Sequence, residues 1–463
     1  MIGGGPAGLT AAYALSRARV PAVVLEKGSQ VGGHARTVRY HGFLFDVGGH
    51  RFFTKVPEVA AIWRELLGDR LLKVRRLSRI LYRGKYYHYP LRPFEALRRM
   101  GAFECAWVLL SYLRKRLAPF PEERTLDEWM SNRFGRRLHL MFFKTYTEKV
   151  WGIPCTELRA DWAAQRIKSL TLWGALVAAL TPSRARPRTL IDEFDYPEEG
   201  PGMLWEAMAR GLEDSGQRVL LGREVVRVAR GNGLVHAVTT RGPAGEEEHR
   251  GSHFIASMPL RDLVLALDPP APPEVRADAE GLRYRDFLTV ALMVRRPDVF
   301  PDHWLYVHTP EVRVARIQNY KNWSPAMVPD PGETCLGLEY FCNEGDDLWS
   351  RPDAELLALA GRELEALRLA RAAEVHDGTV VREPKAYPVY DEPYRERLGR
   401  LRLFLDGLSN LQMVGRNGLH KYNNQDHAML TALLAVRNVL GERLDVWAVN
   451  TEREYHEEDP STH

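Results

Sequence analysis

Three glycine-rich turns carry the chemistry that can be read first. Gly3-Gly4-Gly5-Pro6-Ala7-Gly8 fits GxGxxG and runs straight into the amphipathic stretch Leu9 to Leu15. Without side chains at Gly3, Gly5 and Gly8 the backbone can turn tightly and bring its N–H groups close to a pyrophosphate at a helix start. Glu26 stands 18 residues beyond Gly8, at the end of the β-rich run Pro21 to Leu25, where a carboxylate can accept hydrogen bonds from a ribose. The plainer alternative is a structural glycine turn, which would leave Glu26 without a task.

Two more glycine pairs follow, in Val31-Gly32-Gly33-His34-Ala35-Arg36-Thr37 and in Asp46-Val47-Gly48-Gly49-His50-Arg51. An enzyme using nicotinamide alone has no evident need for them. FAD does, because its diphosphate lies against the first turn and its isoalloxazine reaches further out. Arg36 could then neutralise the diphosphate and His50 could face the ring, unless His50 is only a hydrogen-bonded loop histidine. Near the other end, Val414-Gly415-Arg416 through Tyr422-Asn423-Asn424 leads into the last helix. Its N–H groups could meet the flavin's pyrimidine edge beside Arg416, whereas a plain cap would explain the glycines alone. Tyr146 and Trp151 could stack a base or sugar face or belong to the core, and Arg316 could clamp a phosphate or be a solvated strand arginine.

These residues need a scaffold, and 463 residues supply two or three domains. A composition of 45% hydrophobic and 27% charged residues excludes disorder, collagen and small disulfide scaffolds. The net charge of +4 is too small over this length to argue for nucleic acid. Cys105, Cys155, Cys335 and Cys342 form no CxxC pair, so no metal site and a reducing, cytoplasmic setting are expected. The apolar runs Cys105 to Leu113 and Leu170 to Leu180 fall short of the ~20 residues that span a bilayer.

Periodicity predicts a βαβ start whose first strand is almost missing, either because the native chain starts before Met1 or because the strand is a stub, then helices over Glu58 to Leu67, Arg92 to Leu117 and Thr125 to Tyr146. A helix from Gly202 to Asp214 follows, then strands over Gln217 to Ala229 and Phe254 to Ala256. The proline cluster Asp268 to Pro273 marks a linker. Strands are expected over Phe287 to Val294, Val312 to Gln318, Cys335 to Tyr340 and Leu411 to Val414, and a last helix over Asp426 to Leu440.

The first turn, the GG pair with Arg36 and Thr37, and the GGH loop resemble the flavin amine oxidase superfamily, which includes protoporphyrinogen oxidases, carotene desaturases and UDP-galactopyranose mutases. Tyr146-Thr147-Glu148-Lys149-Val150-Trp151-Gly152 resembles the mutases' YTxKQWG segment, and Tyr82 to Pro90 their strand leading to a Leu-Pro pair. Ala315-Arg316-Ile317 resembles their TRI segment, and Gly415-Arg416 to Tyr422 their GRxxxYxY segment. The resemblance runs from Gly3 to about Leu440. It implies that Tyr146 and Trp151 line a nucleotide-sugar cleft, that Arg316 and Tyr422 meet its diphosphate, and that Arg416 sits at the flavin. Two departures stand out: RxxxR becomes Arg166 to Leu170, and YxD becomes Tyr422-Asn423-Asn424, which removes a carboxylate. A different sugar, leaving group or reaction on the same scaffold therefore stays open.

The expected fold is α/β: a discontinuous Rossmann-like FAD domain (1-56, 191-268, 391-450), a mainly helical insertion (57-190), an antiparallel-sheet substrate domain (274-390) and a tail (451-463). Cofactor contacts are expected from Gly3, Gly5, Pro6, Ala7, Gly8, Glu26, Lys27, Gly33, His34, Arg36, Gly49, His50, Val225, Gly415, Arg416, Asn423 and Asn424. Substrate contacts fall to Tyr146, Trp151, Arg316, Tyr387 and Tyr422, and catalysis to His50, Arg316 and Tyr422, with His88 and His420 as other candidate bases. FAD should be noncovalent, since no cysteine lies near the C-terminal motif, with NADH or NADPH as candidate reductants. The mutase reading implies pyranose–furanose interconversion on reduced FAD without net redox. The alternatives are an FAD oxidoreductase taking hydride from an amine or hydrophobic donor, and a flavin-binding protein without catalysis. The partner is a small molecule, with no nucleic acid and no transmembrane segment, and a homodimer is a candidate assembly.

Overall fold

The computed structural model describes residues 1–89, 91, 93–158, 160, 193–391 and 393–450, and it sets Ile2 between Leu25 and Ala256, bridging both in parallel. The Ile2 N–H donates to Ile255 O at 2.8 Å and the Gly3 N–H to Leu25 O at 2.8 Å. Val23–Leu25 pairs in parallel with Arg218–Leu220, and Phe254–Ala256 with Leu411–Met413. Ile2 thus joins two parallel pairs into one sheet, and the α/β class stands.

Helix Pro6–Arg17 opens with Pro6, which has no N–H to leave unpaired, and buries Leu9, Ala11, Ala12 and Leu15 against this sheet. The predicted strand Gln217 to Ala229 is two strands separated by a turn at Gly222, whose φ is +63°. Arg218–Leu220 completes the parallel sheet, and Glu224–Gly231 joins a four-stranded layer with Gly245–Arg250, Leu234–Gly242 and Leu267–Asp268.

Glycines also divide the predicted long helices. Arg92 to Leu117 breaks at Gly101 (φ +88°) into Pro93–Met100 and Ala102–Leu117. Thr125 to Tyr146 breaks at Gly135 (φ +76°), where an added Cβ would come within 2.8 Å of the Tyr112 backbone. The residues Arg166 to Leu170, the apolar run to Leu180 and the tail 451-463 lie outside the described residues.

The second large sheet has seven strands in the order Val375–Pro388, Tyr284–Val294, Thr334–Cys342, Arg316–Asn319, Trp304–Val307, Ser78–Tyr82 and Lys85–His88. Its last two strands come from the stretch read as helical, and Trp304–Val307 pairs in parallel with Ser78–Tyr82, so the sheet is mixed rather than purely antiparallel. The predicted strand Val312 to Gln318 begins only at Arg316. Strand alternation sorts the sheet's two faces. Leu288, Val290, Leu292, Ile317, Leu336 and Leu338 pack with Leu356, Ala360 and Leu364 of helix Asp353–Ala366. Arg316, Gln318 and Glu339 therefore stand on the opposite face, toward the glycine turns.

Helix Thr145–Trp151 is pinned to this sheet by Lys149. Its ammonium donates to Thr309 O at 2.8 Å, Val314 O at 3.0 Å and Val307 O at 3.2 Å. Burial pushes its pKa down to about 8. Three donors meet three otherwise desolvated carbonyls, so Lys149→Met, which keeps the stem but leaves them without a donor, should cost about 2–4 kcal/mol. Urea unfolding of the two proteins measures this, and an unchanged midpoint would show that Lys149 does not anchor the helix.

Candidate functional site

The first glycine turn forms a cradle that side chains would fill. Gly3 has φ +100°, and a Cβ there would lie 2.3 Å from Ser257 Oγ; one on Gly8 would lie 1.9 Å from the Gly3 carbonyl oxygen. Gly5 faces Gly33 across the loops, with only 3.7 Å between its virtual Cβ and Gly33 Cα, and Gly415 (φ +80°) closes on Ala7. The helix start at Gly5 has neither a side-chain cap nor an acidic residue in its first turn, which suits an anion. Glu26 is buried and accepts the N–H of Gly4 at 2.6 Å and of Gly28 at 2.7 Å, one on each carboxylate oxygen. Each oxygen keeps a lone pair for a ribose hydroxyl. Val225 is half-buried at the edge of this core and Lys27 is exposed. These residues fit a dinucleotide with an extended diphosphate.

The second turn is tied to the large sheet. Arg36 pairs with Glu383 at 2.7 Å and donates to Gly33 O at 2.9 Å. His34 meets the other Glu383 oxygen at 2.5 Å through Nδ1, and its Nε2 lies 3.1 Å from Asn417 Nδ2. Burial pushes Glu383 upward, but His34 and Arg36 outweigh it and hold the carboxyl at about 2. Glu383, on strand Val375–Pro388, thus ties the cofactor loop to the large sheet.

Beyond this clasp lies a cleft of arginines and tyrosines. Arg316 stands directly opposite Glu339 in the strand register, and the fully buried Glu339 accepts from its Nε at 2.8 Å and also from Nη2. Gln318 Nε2 donates to the other Glu339 oxygen at 2.7 Å. The Nη1 of Arg316 makes no hydrogen bond among the described residues. Arg416 donates to Asn423 O at 2.9 Å and Ala386 O at 3.1 Å, and its guanidinium lies 4.8 Å from the centre of the Tyr422 ring and 5.6 Å from that of Tyr387. Those two rings are nearly parallel, at 15° and 5.7 Å. Burial raises the Tyr387 phenol to about 12, against the opposing fields of Arg316 and Arg416.

His50 is a hydrogen-bonded loop histidine. Its Nε2 donates to Val47 O at 2.9 Å, which fixes the loop and leaves Nδ1 as the acceptor. Burial, joined by the positive fields of Arg416, His34 and Arg316, pushes its pKa down to about 4, so the ring is neutral at pH 7. Tyr146 stacks on His308 at 4.8 Å and 10° and meets Tyr306 edge-on at 5.5 Å. Burial raises its phenol, and Arg316 is the largest opposing influence, which places the helix Thr145–Trp151 beside the cleft. Trp151 is half-buried at the end of that helix.

Other expected residues serve the frame. Asn423 is buried and donates to Gly415 O at 3.2 Å, and Asn424 is the N-cap of helix Gln425–Val439. As candidate bases, His88 pairs with Glu95 at 2.6 Å, and the buried His420 packs edge-on against Tyr284 at 4.9 Å. Sequence reading missed Glu339, Gln318, Glu383, His308 and Asp46. The only signal for the first two was strand alternation, and it needed a register that local sequence does not supply.

The family model described as flavin containing amine oxidoreductase matches residues 6–440. A crystal structure of reduced UDP-galactopyranose mutase is similar at 20% identity with a TM-score of 0.82, covering 97% of each chain. Wild-type putrescine oxidase bound to putrescine is similar at 16% identity and a TM-score of 0.61, covering 95% of this chain and 98% of the other. A CLA-producing fatty acid isomerase from P. acnes is similar at 16% identity and a TM-score of 0.60, covering 94% and 97%.

Asp46 underlies the loop that carries His50. Thr37 Oγ1 donates to one of its oxygens at 2.9 Å and the Tyr196 hydroxyl to the other at 2.6 Å, while Tyr320 donates to its backbone carbonyl at 2.7 Å. Burial, only partly offset by Tyr196 and Thr37, pushes its pKa up to about 7. The folded chain therefore keeps a proton that the unfolded chain loses near pH ~4, so this residue's contribution to stability falls as pH rises from about 4 to 7. Asp46→Asn cannot ionise. The stability of wild type relative to Asp46→Asn should drop by about 2–4 kcal/mol across that window in urea titrations, and a flat difference would mean that Asp46 is ionised throughout.

Proposed function

The chain belongs to the family of flavin-containing amine oxidoreductases and is an FAD-dependent enzyme, and within that family we propose that it acts on a nucleotide sugar, interconverting its pyranose and furanose forms with the flavin reduced. The observation that carries this reading is the charge of the cleft. Arg416 is met by two carbonyl oxygens and two tyrosine faces, and Arg316 is held by Glu339 with Nη1 left over. Such a site attracts a diphosphate and repels a protonated amine, while the tyrosine rings offer flat surfaces to a sugar or base.

The first glycine turn and Glu26 would hold the FAD diphosphate and ribose, and Gly415-Arg416 would flank its ring. When bound, FAD supplies a ring that is nucleophilic when reduced and accepts a hydride when oxidised. Arg316 would steady the negative charge that grows on a departing diphosphate, and Glu339 and Gln318 would keep its guanidinium in place beforehand. His50, neutral with its Nδ1 lone pair free of the loop bond, could accept a hydrogen bond from a sugar hydroxyl without adding charge. None of the four cysteines lies in the Gly415 motif, so a noncovalent flavin is part of the same proposal. Removal of hydride from an amine or hydrophobic donor is the second reading, and the family description and the likeness to putrescine oxidase favour it.

Incubating the FAD-loaded protein anaerobically with UDP-galactofuranose, with and without dithionite, separates the two. Conversion to the pyranose only after reduction is expected. No conversion under either condition, together with bleaching of the oxidised flavin by an amine, would give the second reading its place. Arg316→Ala should lower turnover by about a hundredfold or more while flavin absorbance is retained, and unchanged turnover would remove Arg316 from the site.

A further inference from the structure

Helix Ala102–Leu117 has apolar residues on both sides. Val108 and Tyr112 are buried against the neighbouring helices and strands. On the outer side Phe103, Trp107, Leu110 and Leu117 are 82%, 54%, 61% and 87% exposed, with Leu113 between them at 47%. Positions i, i+4, i+7, i+10 and i+14 fall on one helical face, so these side chains form a stripe about 21 Å long. Single exposed apolar residues are ordinary, but a continuous stripe ending in bulky aromatics and leucines marks an interaction surface.

Charge identifies the partner. Arg114, Lys115 and Arg116 occupy the helix's last turn, and Arg98 and Arg99 end the helix before it, so both ends of the stripe are basic. Arg99 is shared with Glu95, and the one acid of the helix, Glu104, is taken by Arg137 at 2.5 Å and 2.9 Å. We propose that this face seats on the surface of an anionic phospholipid bilayer. Phe103, Trp107 and Leu110 would enter the boundary between headgroups and acyl chains, and the flanking arginines would meet the phosphates. Among the described residues no helix is long and apolar enough to cross a membrane, so the contact is with one leaflet. A second copy of the chain is the poorer occupant, because either orientation of a two-fold pair would bring basic ends together.

Flotation of the FAD-loaded protein with vesicles tests this, using phosphatidylcholine with or without phosphatidylglycerol at low and high salt. The protein should float with the anionic vesicles, less at high salt, and scarcely with phosphatidylcholine alone. Trp107→Glu combined with Leu110→Glu should weaken binding by about tenfold or more, and Arg114→Glu with Arg116→Glu should remove its salt dependence. These side chains are exposed, and retained flavin absorbance and melting temperature confirm an intact fold. The proposal falls if wild type stays with the protein fraction, or if the Trp107/Leu110 variant floats as wild type does. It also falls if sedimentation shows a dimer that this variant splits while vesicles bind neither protein, which would give the face to a second copy.

Discussion

A carboxylate with no exposure cannot stay charged in a sheet unless a cation faces it, and the pairing of Glu339 with Arg316 meets that demand across two adjacent strands. The pair fixes the cleft's chemistry. Glu339 takes one edge of the guanidinium and Gln318 takes the second carboxylate oxygen, so the arginine has one arrangement open to it. Because strand side chains alternate, the same register sends Ile317 and Leu338 into the apolar layer under helix Asp353–Ala366. A slip of one residue would bury the arginine among leucines, so packing on one face enforces the charge pattern on the other.

Two further carboxylates join the layers. Glu383 holds His34 and Arg36, and Asp46 gathers Thr37 and Tyr196 beneath the loop of His50. Arg36 and His34 hold the first ionised against the cost of burial; burial pushes the second toward the neutral form, and its hydroxyl partners offset this only in part. Arg36 ties its loop to Glu383, and Arg416 has no carboxylate partner among the described residues. The frame around the flavin turns is therefore built from electrostatics that neighbouring elements supply to one another.

How much of this could be read beforehand follows from the range of the forces involved. GxGxxG with Glu26 is local, and its steric logic appears in the structure as predicted. Helix and strand types were mostly legible, but not the breaks at Gly101 and Gly135, where one glycine in a long helical pattern admits either continuation or a turn. Strand Ser78–Tyr82 escaped notice because it is short and lies among helices, and Lys85–His88 was named as a strand only through the resemblance of Tyr82 to Pro90. Arg316 was found and Glu339 was not: the arginine stands in a recognisable motif, and the glutamate in a buried strand that reads only as hydrophobic. Lys149 was quoted as part of a segment, but its three carbonyl partners depend on loops that only the tertiary fold brings together.

The separation in sequence between the parts of the first turn's cradle bears on when the protein can become an enzyme. The Ser257 hydroxyl that bonds the Ile2 carbonyl lies 255 positions further along the chain, and Gly415, which closes on Ala7, comes later still. Closing such loops is entropically costly, and contacts this distant in sequence form late. A nascent N-terminal half thus has glycines but no cradle. Cofactor capture belongs to the nearly finished chain, and until then the first helix and its small residues lack the sheet that would shelter them from chaperones, proteases and one another.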